Sequence, residues 1–234
     1  MSNSSIASTE VNPRFLPLKN GLIVSCQVPD DTAINTPEFI AAQALTVVQA
    51  GAVGIRAQGI KNVEAISKVT QVPIIGLVKR YDKSSPVYIT PSVSDVIELE
   101  KAGATIVAID ATGRLRLGGQ TLEEFVTQVR LESNVLLLAD VDSVESALAA
   151  EALGCDAIAT TLSGYTDIPV SGLPNIKLID DISKSIQIPI IAEGGFSQPN
   201  SVSEALSAGA HAVCIGTAIT NPFLLTKQFL AAIN

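Results

Sequence analysis

The chain has 234 residues, 47% apolar and only 4% aromatic with no tryptophan, so one domain can bury a full core, and that core must be aliphatic. Fifteen basic residues stand against 23 acidic ones, a formal charge of −8; no Lys/Arg run is present, which excludes a nucleic-acid footprint and leaves local donors to decide any anion binding. One histidine and three scattered cysteines exclude a multi-histidine metal site, and no window has the apolar length of a membrane span.

Residues 1–20 are polar at first and lack the apolar stretch of a signal peptide, so they read as a tail or lead-in, with a single domain expected over 21–234. From there, short apolar runs alternate with helical patterns. The expected strands are 21–26 (GLIVSC), 52–56 (AVGIR), 73–78 (PIIGLV), 105–110 (TIVAID), 135–140 (VLLLAD), 156–161 (DAIATT), 188–193 (IPIIAE) and 211–216 (HAVCIG). Eight βα units of roughly 29 residues each fit an α/β fold of the (β/α)8 type, a TIM barrel. The phrases AGAVGI, AGATIV, LGCDAI and AGAHAV precede alternate strands, and the third and seventh strands are entered through QVP and QIP. Gly51, Gly103, Gly154 and Gly209 in those phrases would end helices at a left-handed C′ position, and the two-unit period suggests four related quarters. Thr121 with Glu124 and Ser201 with Glu204 read as capping boxes; Thr36-Pro37 and Asn221-Pro222 place a cap before an N1 proline. An open doubly wound sheet is the rival architecture, but no G-x-G-x-x-G follows the first strand.

Barrel enzymes work at the C-terminal ends of their strands. Those ends deliver Gln27, Arg56, Lys79, Asp110, Asp140, Thr161 with Ser163, Glu193, and Gly216 with Thr217. In a chain with 16% charged residues, so many polar endings on one rim point to a site. Lys79 follows five apolar residues and precedes Arg80. Partial burial and a neighbouring cation would both disfavour its ammonium form, so that a neutral amine could act as base. The alternative is a lysine paired with a rim carboxylate such as Asp110 or Glu193, and the two readings are compatible. Gly194 and Gly195 after the seventh strand, and Gly216 and Thr217 after the eighth, could hold a phosphate through backbone N–H groups. His211 falls at the start of the eighth strand, on the opposite face, and reads as structural. Cys26, Cys155 and Cys214 read as small packing residues; their odd number suits a reducing cytoplasm.

GLIVSCQ (21–27), GAVGIRAQG (51–59), PIIGLVKR (73–80), VYITP (87–91), IVAIDATGRLR (106–116), TTLSGYT (160–166), IIAEG (190–194) and GAHAVCIGTAIT (209–220), taken in order, resemble the signature segments of the N-acetylmannosamine-6-phosphate 2-epimerases. The resemblance implies a homodimeric barrel in sialic-acid or amino-sugar metabolism, acting on a sugar phosphate with no metal or organic cofactor. It implies that Lys79 removes and returns the C2 proton and that Glu193 assists at the reacting carbons. Gln27, Arg56 and Asp140 would bind the sugar; Asp110, matching the IDAT segment, joins them as a substrate-binding candidate together with Thr161 and Ser163. Two positions depart from the family pattern: Gly195 where a basic residue is usual, and Asn221 where an arginine is frequent. Backbone amides, or Arg114 and Arg116 of the fourth loop, would then have to serve the phosphate. Two other readings stay open: a Schiff-base aldolase or lyase using Lys79 as nucleophile, and a non-catalytic sugar-phosphate binder. A borohydride-trapped adduct on Lys79 would mark the first, and ligand binding without hydrogen exchange at C2 the second.

Overall fold

The computed structural model describes residues 12–29 and 31–233; residues 1–11 of the expected lead-in lie outside them. Eight parallel strands close in chain order into one barrel: β1 (Leu22–Cys26), β2 (Gly54–Gln58), β3 (Ile74–Leu77), β4 (Ile106–Asp110), β5 (Leu136–Asp140), β6 (Ala157–Ala159), β7 (Ile190–Glu193) and β8 (Ala212–Ile215), with β8 pairing back onto β1. Seven lie within the expected apolar runs; β2 starts and ends two residues later than 52–56, so its C-terminal end is Gln58 rather than Arg56. The strand-to-strand crossovers are helices: α1 (Pro37–Gln49), α2 (Ile60–Ser67), α3 (Val93–Lys101), α4 (Leu122–Glu132), α5 (Val144–Ala152), α6 (Ile176–Ser183) and α7 (Pro199–Ser207). After β8 come the short α8 (Thr217–Thr220) and α9 (Pro222–Ala231).

Side chains alternate across each strand, and this divides the core in two. Val24, Ile55, Val107, Leu137 and Val213 face outward and pack under the helices. Ile23, Ile75, Leu77, Ala108, Leu138, Ile191 and Ala212 face inward and fill the barrel. Continuing that inward parity toward the strand ends reaches Ser25, Arg56, Asp110, Asp140, Glu193 and Cys214. The apolar filling therefore gives way to a polar layer at the C-terminal mouth.

The other end is closed by the chain itself. Pro13–Leu18 forms a 3-10 helix whose Phe15 and Leu18 are fully buried inside the barrel. Gly54 makes room for it, since a Cβ there would lie 2.7 Å from Leu18 Cδ2. His211 braces this plug: its Nε2 sits 2.9 Å from the Phe15 carbonyl oxygen, and its own carbonyl accepts from the Asn20 N–H at 2.7 Å.

The helix signals are realised with one exception. Gly51, Gly103, Gly154 and Gly209 all adopt positive φ just past a helix end. Thr36, Thr121 and Asn221 cap α1, α4 and α9, and the Thr121/Glu124 box is reciprocal. Ser201 is not a cap. Pro199 takes the first turn of α7 with Gln198 as N-cap, so Ser201 lies inside the helix and its hydroxyl donates to the Gln198 carbonyl at 2.6 Å. The proline, with its φ already helical, starts the helix earlier than the Ser-x-x-Glu pattern suggested.

Candidate active site

The barrel mouth holds a cavity of about 700 Å³, into which Lys79 projects from the end of β3 and Glu193 from the end of β7, opposite strands of the closed ring. The Lys79 ammonium nitrogen donates to Gln27 Oε1 at 3.0 Å, and the Gln27 amide in turn donates to Ser25 Oγ at 2.8 Å. Ser25 of β1 and Gln27 just past its end thus orient the amine. Past Lys79 the chain folds back on itself: residue 79 pairs with Ile89 in an antiparallel bridge, and Tyr81 stacks on Tyr88 at 5.2 Å. Both rings line the mouth. Burial pushes the Tyr88 phenol up to about 12, so it remains a neutral O–H donor.

Arg80 does not crowd the amine, as had been expected. Its guanidinium turns outward onto Asp95 at 2.6 Å, and Asp95 is itself fixed in the reciprocal cap of α3.

Glu193 stands on a buried charged network. Arg56, 1% exposed, donates to both oxygens of Asp140 at 3.0 and 2.6 Å and reaches Glu193 Oε2 at 2.8 Å. Thr161 Oγ1 lies 2.8 Å from Asp140 and 3.1 Å from Glu193. Burial works against the charge on Arg56, but Asp140 and Glu193 outweigh it and hold the guanidinium ionised. For Glu193 burial dominates, with Asp140 adding repulsion, so its pKa is raised although Arg56, Thr161 and Lys79 pull the other way. The Cys214 thiol bonds to Glu193 and is pushed well above its ordinary value by burial; Cys26 and Cys155 are raised to about 12 for the same reason. None of the three is a thiolate nucleophile.

Gln27, Lys79, Thr161, Glu193, Gly194, Gly195, Gly216 and Thr217 all line the cavity. Arg56 and Asp140 are not part of its lining: Arg56 contacts Glu193, and Asp140 is paired with Arg56. Asp110 is fully buried and paired with Arg114 at 2.6 Å. Ser163 is buried in the loop after β6, where it accepts from the Asn175 amide at 2.9 Å. Asp110 and Ser163 are therefore kept out of the mouth by their own partners. Arg116 is kept out as well: it is buried with its guanidinium 4.1 Å over the Phe125 ring. Residues not picked from the strand ends also line the cavity: Ser25, Gln58, Tyr88, Ser197 and Cys214. The period-2 parity from Arg56 to Gln58, and from Gln27 back to Ser25, carried the signal for two of them.

Fold and mouth together define a (β/α)8-barrel enzyme whose opening carries an amine and a carboxylate on facing walls. The family model "Putative N-acetylmannosamine-6-phosphate epimerase" (NanE) matches residues 40–234, and the chain belongs to that family. Proteins named "Putative N-acetylmannosamine-6-phosphate 2-epimerase" from Caldanaerobacter subterraneus and Listeria welshimeri are each 42% identical to it, covering 93% and 91% of this chain and 92% of each relative. The N-acetylmannosamine-6-phosphate 2-epimerase structure from Clostridium perfringens superposes with a TM-score of 0.89 at 35% identity, over 95% of this chain and 97% of that one. A thiamine phosphate pyrophosphorylase from Pyrococcus furiosus, at 17% identity and a TM-score of 0.60, shares the fold alone.

Proposed function

We propose that this chain inverts C2 of N-acetylmannosamine 6-phosphate to give N-acetylglucosamine 6-phosphate. The observation that carries the reading is the placement of Lys79 and Glu193 across one cavity, in a chain of this family. In the open-chain sugar C2 is α to the C1 aldehyde, so removing its hydrogen gives an enolate that donors near O1 stabilise. One proton shared between the two groups is enough. When it resides on Glu193, Lys79 is neutral and free to take the C2 hydrogen, and the carboxyl group can hand its proton to O1. Once the enol has turned over, for which a cavity of about 700 Å³ leaves room, the ammonium gives a hydrogen to the opposite face of C2 while Glu193 takes the O1 proton back. Gln27 holds the amine; Arg56, itself anchored by Asp140, holds Glu193 together with Thr161.

The reaction balances without an electron carrier, and the reading includes no metal or organic cofactor. Gly194, Gly195, Gly216 and Thr217 form the phosphate end. The reading includes a cytoplasmic homodimer. Among the described residues no helix is long and apolar enough to cross a membrane. Proton NMR of N-acetylmannosamine 6-phosphate in deuterium oxide tests the reaction. The expected result is conversion with deuterium at C2, reduced by about 10²- to 10⁴-fold in Lys79→Met, the range general acid–base groups supply. Turnover that survives Lys79→Met intact would remove the amine from the mechanism.

A further inference from the structure

We propose that the protein also epimerises the unphosphorylated N-acylhexosamine, within about a hundredfold of its rate on the 6-phosphate. This rests on the epimerase reading and concerns the end of the same cavity remote from Lys79. Among the described lining residues Lys79 is the only cation, and it is held at the β1–β3 side by Gln27. The β7–β8 end is lined by Gly195, Ser197, Gly216, Thr217 and Asn221, all neutral.

Five positions from which a cation could come are already committed. Gly195 has φ +73, and a Cβ there would lie 2.4 Å from Leu173 Cβ and 3.2 Å from the Leu173 carbonyl carbon. No side chain fits that position while the loop after β6 is where it is. Asn221 is buried, and its Oδ1 accepts the Leu224 N–H at 3.0 Å as the cap of α9. Lys227, next in sequence to the lining Gln228, is turned onto the Phe223 ring at 4.4 Å. Arg114 is paired with Asp110, and Arg116 is buried against Phe125.

The charges at and under the mouth already balance, Lys79 and Arg56 against Glu193 and Asp140. A phosphate dianion would bring negative charge with no counter-charge, held by hydroxyl and amide donors alone. Backbone and hydroxyl donors bond a phosphate oxyanion more strongly than a sugar hydroxyl, but each bond that a cation would add is worth about tenfold or more again. Without a cation the preference for the ester rests on those neutral donors alone, set against the cost of bringing an uncompensated dianion to the mouth.

Exchange and inversion at C2 are followed by proton NMR in deuterium oxide for N-acetylmannosamine and its 6-phosphate with the same preparation. A kcat/KM ratio within about a hundredfold is the expected result, since it corresponds to less than two charge-assisted bonds. A larger preference for the ester overturns the inference and leaves the epimerase reading intact. Exchange with neither sugar removes both. As an independent readout, the ester's KM should not rise between low and high salt, because no ion pair is there to screen. A KM that climbs steeply with salt reveals a cation in the phosphate end and overturns the proposal.

Discussion

Glu193 is held by two opposing influences, burial that favours its neutral form and Arg56 that favours its charge, and burial is the larger. This has a sign in the pH profile. In the proposed scheme the active enzyme carries one proton on the Lys79–Glu193 pair, so protonating the carboxylate while the amine is still charged stops the reaction. Activity should therefore be lost as pH falls through the raised Glu193 pKa, and the acidic limb of kcat/KM should lie above the ordinary carboxylate value of about 4.3. Glu193→Gln should lose about 10²- to 10⁴-fold, and its remaining activity should show no acidic limb there; a pH–rate series on both proteins checks it. An unchanged limb in the variant would assign the titration to another group. The sequence made both partners of this pair legible, because a charged residue directly after an apolar run marks a strand end. It did not reveal that Arg56 and Asp140 stand behind the carboxylate. That arrangement depends on inward parity continued one step further up β2, to Gln58, and on Asp140 being fully buried.

The strands and their order were legible because each βα unit carries its own punctuation, an apolar run entered through a glycine phrase. What lies between the units was less so. The four phrases look equivalent in sequence, yet their glycines sit in two environments. A Cβ on Gly103 would lie 2.6 Å from Ser67 Cβ at the end of α2, and one on Gly209 would lie 2.6 Å from Ser183 Cβ at the end of α6, whereas Gly51 and Gly154 face open space. The two-unit sequence period therefore packs as two related halves, with α2 and α6 in matching places. The difference sets relative costs. Gly51→Ala should lose about 1–2 kcal/mol, the cost of a Cβ on a left-handed backbone. Gly209→Ala has the same backbone cost (φ +101 against +107) and adds the overlap with Ser183, about 1–3 kcal/mol more for overpacking. Urea unfolding of the two variants should rank them in that order, and equal midpoints would show that Ser183 moves aside freely. The Ser201 pattern failed for a reason of the same scale: a capping box and an N1 proline two residues before it competed for one helix start, and the proline prevailed.

At the scale of the whole molecule, the acidic surface and the last helix act in opposite directions. A formal charge of −8 keeps copies apart at long range, so any association has to come from short-range apolar contact. α9 offers such a contact: none of its residues is buried, and Phe229 and Leu230, with Ile233 just beyond, are 75%, 52% and 79% exposed. Apolar side chains gathered in this way on one helix are the kind of surface that interaction faces carry. The proposed homodimer would bury it. The same helix lends Leu224, Leu225 and Gln228 to the cavity wall, so a partner that fixes α9 also fixes one side of the mouth. Phe229→Asp should then leave the fold intact, since that side chain is 75% exposed, but shift the protein from dimer to monomer in sedimentation and raise KM as α9 loosens. Added salt should tighten the wild-type dimer by screening the repulsion between acidic copies. A wild-type chain that sediments as a monomer at working concentrations, or a variant that stays dimeric with unchanged KM, would separate α9 from both association and the mouth.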